Sequence, residues 1–223
     1  MNVVIIGAGG HGKVVLDILR RDPDASIIGF IDDDKSLHNK AVDGVPVLGT
    51  VRSLSVLMSR YKLDAAVIAV GDNNVRADLF DKLAKFGLKL KRAIHPHALI
   101  AHDVDIGEGA VIAAGAVIGI GTRIGHNVII NTGVIIEHDN IIEDYAHISP
   151  GVTLAGKVTI GQCAHVGLGV TIVDSLTIGE NATIGAGAVV VADIPPNSTA
   201  VGIPAKVIKL KEPAVHGQRG GSA

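Results

Sequence analysis

Two observations in this 223-residue chain predict an α/β N-terminal domain with a small parallel sheet, followed by a left-handed parallel β-helix. The first is a period of six: every sixth residue from Ile94 to Val190 is aliphatic, with no break in phase. An α-helix returns to one face after three or four residues and a flat strand after two, so neither holds that period. The second is the alternation of strand-like and helix-like runs ahead of the repeat. It implies parallel strands joined by right-handed crossovers.

Residues 2–7 (NVVIIG) read as a buried strand and Gly7 to Gly12 as a turn. Lys13 to Arg21 carries a helical pattern through Val14, Val15, Ile18 and Leu19. A second strand, IIGFI, ends in Asp32, Asp33 and Asp34. Ala65 to Val70 reads as a third strand, and a helix through Leu79 and Leu83 follows. A glycine-rich loop opening a helix offers backbone N–H groups to a phosphate, and acids ending the second strand suit a ribose or base. Such turns are also common in α/β proteins that bind no nucleotide. The sheet is small for a full dinucleotide fold, which argues against NAD.

In the repeat, the residue two before each aliphatic is small or β-branched, as at Ala110, Ala116, Val128 and Val134. That pairing fits a narrow interior. Glycine often follows the aliphatic, as at Gly107, Gly119, Gly161 and Gly179, where a Cβ would crowd the corner. Hexads of this kind mark a solenoid in which three make one triangular coil, with coils spaced about 4.8 Å apart. The expected division is a Rossmann-like domain over 1–92, the β-helix over 93–194, and a C-terminal extension and tail over 195–223. The phase breaks at Pro195-Pro196, and AVGIPAKVIKL is expected to leave the coil, with a polar tail beyond it.

Composition excludes several roles. The net charge is −2 with no basic block, and aromatic residues make up 2% of the chain, so neither nucleic acid nor an anionic membrane is an expected partner. No apolar run approaches the ~20 residues of a membrane span, and the N-terminus lacks a signal-peptide pattern, so a cytoplasmic protein is expected. The single cysteine, Cys163, allows no intrachain disulfide and no cysteine-based zinc site. It precedes the inward Ala164 and reads as passive.

His97, His102, His126, His138, His147 and His165 are among the histidines that lie in or at the start of the repeat. His138 and His147 are nine residues apart, half a coil, so they fall on different sides of the prism. They could meet only across a neighbouring subunit. His147 and His165 differ by 18 and stack on adjacent coils. His138 is flanked by Glu137 and Asp139, and a carboxylate can orient an imidazole that acts as general base. Asn140 takes an inward position otherwise held by Ala or Val, which predicts a polar network beside His138. His97 and His102 could be read as zinc ligands of a β-helical carbonic anhydrase, but a third ligand is not evident.

The run NTGVIIEHDNIIEDYAHISPGVTLAGKVTIG, with GAGGHGKVV before it and VGIPAKVI after it, resembles the sialic acid O-acetyltransferase and bacillosamine N-acetyltransferase family. The similarity extends to about Lys209. It implies an acetyl-CoA-dependent transferase and a homotrimer, with a nucleotide-linked sugar and acetyl-CoA meeting between subunits and no metal. By position, His138 would be the base, Glu137 its orienting partner, and Asn131 a neighbour of the sugar. His147 would lie near the acetyl thioester, where it or a backbone N–H would stabilise the oxyanion. Gly9, His11, Gly12, Asp32, Asp33 and Asp34 would face the nucleotide. Ala155, Gly156, Gly185, Pro204, Ala205 and Lys206 would border CoA. Ile142-Glu143-Asp144 departs from the Ile-Gly-Glu of many relatives and adds negative charge one coil-side from the base. The acceptor expected is the amine of a 4-amino-4,6-dideoxy sugar. O-acetylation of sialic acid and a non-catalytic nucleotide-binding scaffold are the alternatives.

Overall fold

The computed structural model describes residues 1–210. The N-terminal part contains, in order, β1 (Asn2–Ile6), α1 (Gly10–Leu19), β2 (Ser26–Ile31), β3 (Ala41–Val42), β4 (Val45–Gly49), α2 (Leu54–Tyr61), β5 (Ala65–Ile68), α3 (Asn73–Ala84) and β6 (Lys89–Leu90). Its six-stranded sheet has the order β3-β4-β2-β1-β5-β6 and is parallel except for the β3–β4 hairpin. Central β1 is apolar on both faces. Val3 and Ile5 pack with Val15, Leu16, Ile18 and Leu19 of α1, whereas Val4 and Ile6 pack with Leu54 and Leu57 of α2 and Leu79 and Leu83 of α3. The α1 cluster also includes Ala93, Val111, Ala113 and Ile129, so the helix is clamped between the sheet and one face of the β-helix.

One boundary differs from the sequence reading. The first helix begins at Gly10, so the His11-Gly12 step belongs to its first turn. The helix lies close against the preceding turn, and a Cβ on buried Gly12 would collide with the Gly7 carbonyl.

From Ala93–Ile94 to Val189–Val190 the chain forms two-residue strands in three parallel sheets. The pairing runs in steps of 18: Val111 opposite Ile129, Ile129 opposite His147, His147 opposite His165, and His165 opposite Thr183. The repeating aliphatics and their small partners fill one continuous core that includes Ile112, Ile130, Ile148, Val128, Ala146 and Ala164.

The corners explain two further positions. Every sixth residue from Gly109 to Gly187 has positive φ, including Asn127, Asp139, Tyr145 and Cys163. The glycine directly after the aliphatic answers a different need, the close approach of coils. A Cβ on Gly107 would come within 2.5 Å of the Gly125 carbonyl oxygen and the His126 nitrogen.

The C-terminal segment corrects the expected exit at the prolines. The strand Ser198–Val201 rejoins the eight-stranded sheet, with Thr199 opposite Thr183 and Ala200 buried in the core. That spacing is 16 rather than 18, as it already is between Ile178 and Ile194, so the coil loses two residues between Val190 and Ile194, ahead of the prolines, without ending. Lys206–Leu210 then folds back antiparallel on Ser198–Val201. The polar tail expected beyond it lies outside the described residues.

Gly107→Ala should destabilise the protein by about 1–3 kcal/mol, because its Cβ meets backbone that cannot rotate away. Thermal unfolding of the variant would check this.

Candidate active site

His138 follows the strand Ile135–Ile136 and stands on a prism edge, half exposed. Its Nδ1 lies 2.9 Å from Asp139 Oδ2. The carboxylate that the structure places against the ring is that of Asp139; the Glu137 side chain makes no such contact. Asp139 occupies the left-handed corner, φ 61°, and that turn brings its short side chain back to the neighbouring ring. The main chain of Glu137 serves the corner instead, since its carbonyl accepts from Thr122 Oγ1 and Asn140 Nδ2. Donation from Nδ1–H to Asp139 leaves Nε2 with a free lone pair, as a general base requires.

Asn140 supplies the network that its inward position predicts. Fully buried, it donates to the carbonyls of Glu137 and Ala155 and accepts from Val158 N at 3.0 Å. The base-bearing corner is thus tied to the coil 18 residues on. Gly156, carried over as a CoA neighbour, lies under the His138 ring. A Cβ there would sit 2.6 Å from Cε1 and 2.7 Å from Nε2.

The parallel strands of the N-terminal sheet end at a cavity of about 330 Å³. Asp32, Asp33, Val51, Val70, Val75, Asp78, Leu79 and Lys82 line it beside the ends of β1 and β2. This is where an open α/β sheet accepts ligands. Asp32 spends its carboxylate on structure, accepting from Ala8 N at 2.7 Å and Asp34 N at 2.8 Å. Asp33 accepts from Val51 N, and Asp34 caps the short turn at Ser36. Gly9 and Gly10 border open space. Buried Gly12 does not face a ligand, which corrects its expected role.

A second histidine group forms where this domain meets the β-helix. His11 and His147 have ring centroids 6.5 Å apart, His147 and His165 4.8 Å apart, and Asn131 Nδ2 lies 3.5 Å from His147 Nε2. Burial first, then His165 and Arg76, lowers the His147 pKa to about 3. Burial and the Arg76 charge lower that of His11 to about 4. His138 lies on a different face, as the half-coil spacing predicts.

The sequence reading missed Arg76. It is fully buried on α3, and its guanidinium donates to the carbonyls of Asn127, Val70, Gly71 and Tyr145 and to Asn73 Oδ1. Asn73 Nδ2 in turn donates to the carbonyls of Cys163 and Ala164. Asn127, Tyr145 and Cys163 are corner residues 18 apart, so α3 grips three successive coils by their main chain. A lone arginine in a helical pattern carries no sequence signal for this.

Burial pushes the Cys163 thiol up to about 11, which keeps it protonated and disfavours an acyl-cysteine route. Gly185 lies against Val201, and Ala205 N donates to the Val189 carbonyl, so both help seat the C-terminal hairpin. Pro204 is exposed, and exposed Lys206 opens the last strand. The two acids that depart from the relatives' pattern cap corner amides: Glu143 accepts from Gln162 N and Asp144 from His126 N. Among the described residues, no three His, Cys, Asp or Glu side chains converge as metal ligands.

A left-handed β-helix carrying a small nucleotide-type domain, with an imidazole–carboxylate pair on a prism edge, defines a hexapeptide-repeat acyltransferase. Comparison with known proteins narrows the class. Residues 2–83 match the PglD N-terminal domain. The chain is 39% identical to PerB of Caulobacter crescentus, solved with CoA and GDP-perosamine, over 93% of this chain and 97% of that one, with a TM-score of 0.88. It is 36% identical to the acetyltransferase domain of PglB from Neisseria gonorrhoeae FA1090, solved with acetyl coenzyme A, over 93% and 98%, with a TM-score of 0.85. It is also 38% identical over 113 residues to the UDP-N-acetylbacillosamine N-acetyltransferase of Bacillus subtilis (strain 168), a match that spans about half the length of either chain. The chain belongs to this family of bacillosamine- and perosamine-type hexapeptide-repeat acetyltransferases.

Gly156→Ala should cut kcat by about 10²-fold or more while leaving the melting temperature almost unchanged, because the ring can swing away but only out of position. Steady-state kinetics beside thermal melts would show this split. Acid should loosen the domain junction. Both buried rings bind a proton more readily once unfolded, so the unfolded chain holds more protons below about pH 6.5 and stability falls from there towards pH 4. A His11→Gln/His147→Gln double variant should flatten that dependence of the melting temperature.

Proposed function

We propose that the protein transfers the acetyl group of acetyl-CoA to the amino group of a nucleotide-linked amino sugar, a 4-amino-4,6-dideoxy sugar in this reading. The observation that carries it is the His138–Asp139 pair over the bed cleared by Gly156, in a chain that matches, over nearly their whole solved lengths, PerB solved with CoA and GDP-perosamine and the acetyltransferase domain of PglB solved with acetyl coenzyme A.

The base is needed because an amine is protonated near neutral pH and is not nucleophilic until it loses a proton. His138 Nε2 takes that proton, and Nδ1–H, held by Asp139, steadies the imidazolium. The nitrogen adds to the thioester carbonyl, the tetrahedral intermediate collapses with cleavage of the carbon–sulfur bond, and the cationic nitrogen gives up its second proton to leave a neutral amide. The released thiolate of CoA accepts a proton. A backbone N–H stabilises the oxyanion. Holding both substrates in one cleft supplies much of the acceleration.

The nucleotide occupies the cavity at Asp33 and Asp78, with its diphosphate towards Gly9 and Gly10. The sugar reaches His11 and Asn131. CoA lies along the coils towards Ala155, Pro204 and Lys206. Because His138 and His147 lie on different faces, one complete site takes His138 from one subunit and the His11/His147 side from the next, in a homotrimer. Among the described residues no helix is long and apolar enough to cross a membrane, and a cytoplasmic enzyme drawing on the acetyl-CoA pool fits this chemistry.

The test is thiol release from acetyl-CoA with a panel of UDP-, GDP- and dTDP-linked 4-amino sugars and free sialic acid. Turnover on one amino sugar should fall about 10²–10⁴-fold in His138→Ala and less in Asp139→Asn, and Glu137→Gln should have the smallest effect. Activity on sialic acid alone would move the assignment to O-acetylation. No turnover on any acceptor would leave a nucleotide-binding scaffold.

A further inference from the structure

We propose that Arg76 is a positioning residue for the transfer site: by sharing the Gly71 carbonyl with His147, it fixes that imidazole as the Nδ1–H tautomer and presents Nε2 to the cleft as a hydrogen-bond acceptor. The inference rests on the assignment of His147 to the acyl-transfer cleft.

The shared oxygen decides the tautomer. Gly71 O lies 3.2 Å from Arg76 Nη1 and 3.3 Å from His147 Nδ1. A carbonyl only accepts, and its two lone pairs can serve both donors, so Nδ1 carries the hydrogen. A neutral ring has one N–H, which leaves Nε2 bare. Asn131 agrees with this polarity: its Oδ1 accepts from Thr132 N at 2.9 Å, which leaves Nδ2 on the side of His147 Nε2.

Arg76 holds Gly71 in place from both sides. Nη1 binds the Val70 and Gly71 carbonyls where β5 gives way to α3, while Nε and Nη2 bind the coil at Asn127 and Tyr145. The planar fork thereby fixes the height of the Gly71 carbonyl above His147. A lysine has one ammonium and cannot span these three directions.

The charges agree. The groups facing His147 are His11 on α1, His165 on the next coil and Arg76 on α3. Asp72, Tyr145 and Cys163 surround Arg76 itself. Each of the three neighbours of His147 opposes a second proton on its ring, so Nε2 stays an acceptor throughout the neutral range. His147 is then unsuited to stabilising an oxyanion, a task that needs a donor. It suits an N–H instead: that of Asn131 Nδ2 in the free protein, and in its place that of the acceptor amine or of an amide in the pantetheine arm of CoA.

The test uses the intact protein labelled with ¹⁵N-histidine. His147 is assigned by its loss in His147→Gln, and its two ring nitrogens are followed from pH 5 to 9 in wild type and Arg76→Lys. The expected wild-type spectrum has protonated Nδ1 and bare Nε2 throughout. In Arg76→Lys the two tautomers should mix, and kcat should fall about tenfold or more with the KM for acetyl-CoA changed far less. His147→Gln, whose amide oxygen can stand near the Nε2 position, should retain more activity than His147→Asn. A wild-type ring protonated at Nε2 overturns the proposal, whether or not Arg76→Lys folds. So does an Arg76→Lys spectrum identical to wild type. If the wild type turns over no amino sugar, the functional reading fails, while the tautomer measurement still decides the role of Arg76.

Discussion

The 18-residue register of the coil is the constraint from which the rest follows. Main-chain hydrogen bonds tie each strand to the one 18 residues on, so a residue's neighbours in space are set by addition. Asn140 reaches Val158, His138 stands over Gly156, and His147 stacks on His165. An imidazole placed this way needs no flexible loop. The carboxylate in contact with it lies one residue along, its anchor two residues along, and its bed one coil away. Coil stacking over an apolar interior therefore supplies the preorganisation that acyl transfer requires.

The second organising element is the grip of α3 on the coil corners. A buried guanidinium with no carboxylate in contact is costly to desolvate. Here its N–H groups are directed at carbonyls and an amide oxygen, and its pKa, lowered by burial to about 10, still leaves it charged. The same cation that joins the domains lies beside two imidazoles and adds to the burial that chiefly keeps them neutral. Domain docking and the electrostatics of the histidine group are thus one arrangement.

The architecture was legible because a period of six survives in the letters themselves, and because Val3 to Ile6 alternate between two cores. The turn chemistry was only half legible. Glycine after the aliphatic was read correctly as relief of crowding, but the left-handed corner three residues after the aliphatic escaped notice, because Asp139, Tyr145, Lys157 and Cys163 stand there as well as glycine. Choosing between Glu137 and Asp139 depended on that same corner. Both flank His138 in sequence, and only the backbone turn decides which carboxylate reaches the ring. The short α2 and the β3–β4 hairpin were not anticipated. Arg76 was invisible for a deeper reason: its partners are main-chain carbonyls, and these have no letter in the sequence.

The two residues lost between Val190 and Ile194 also bear on how the solenoid ends. A stack of parallel coils could in principle grow without limit, since each exposed rim can template another. Here the shortened last coil is followed by a strand that runs backwards along Ser198–Val201. An antiparallel rim offers its donors and acceptors in a different spacing from a parallel one, so another molecule's coil cannot dock on that edge in register. On that one face of the prism the chain thus carries its own block against edge-to-edge pairing.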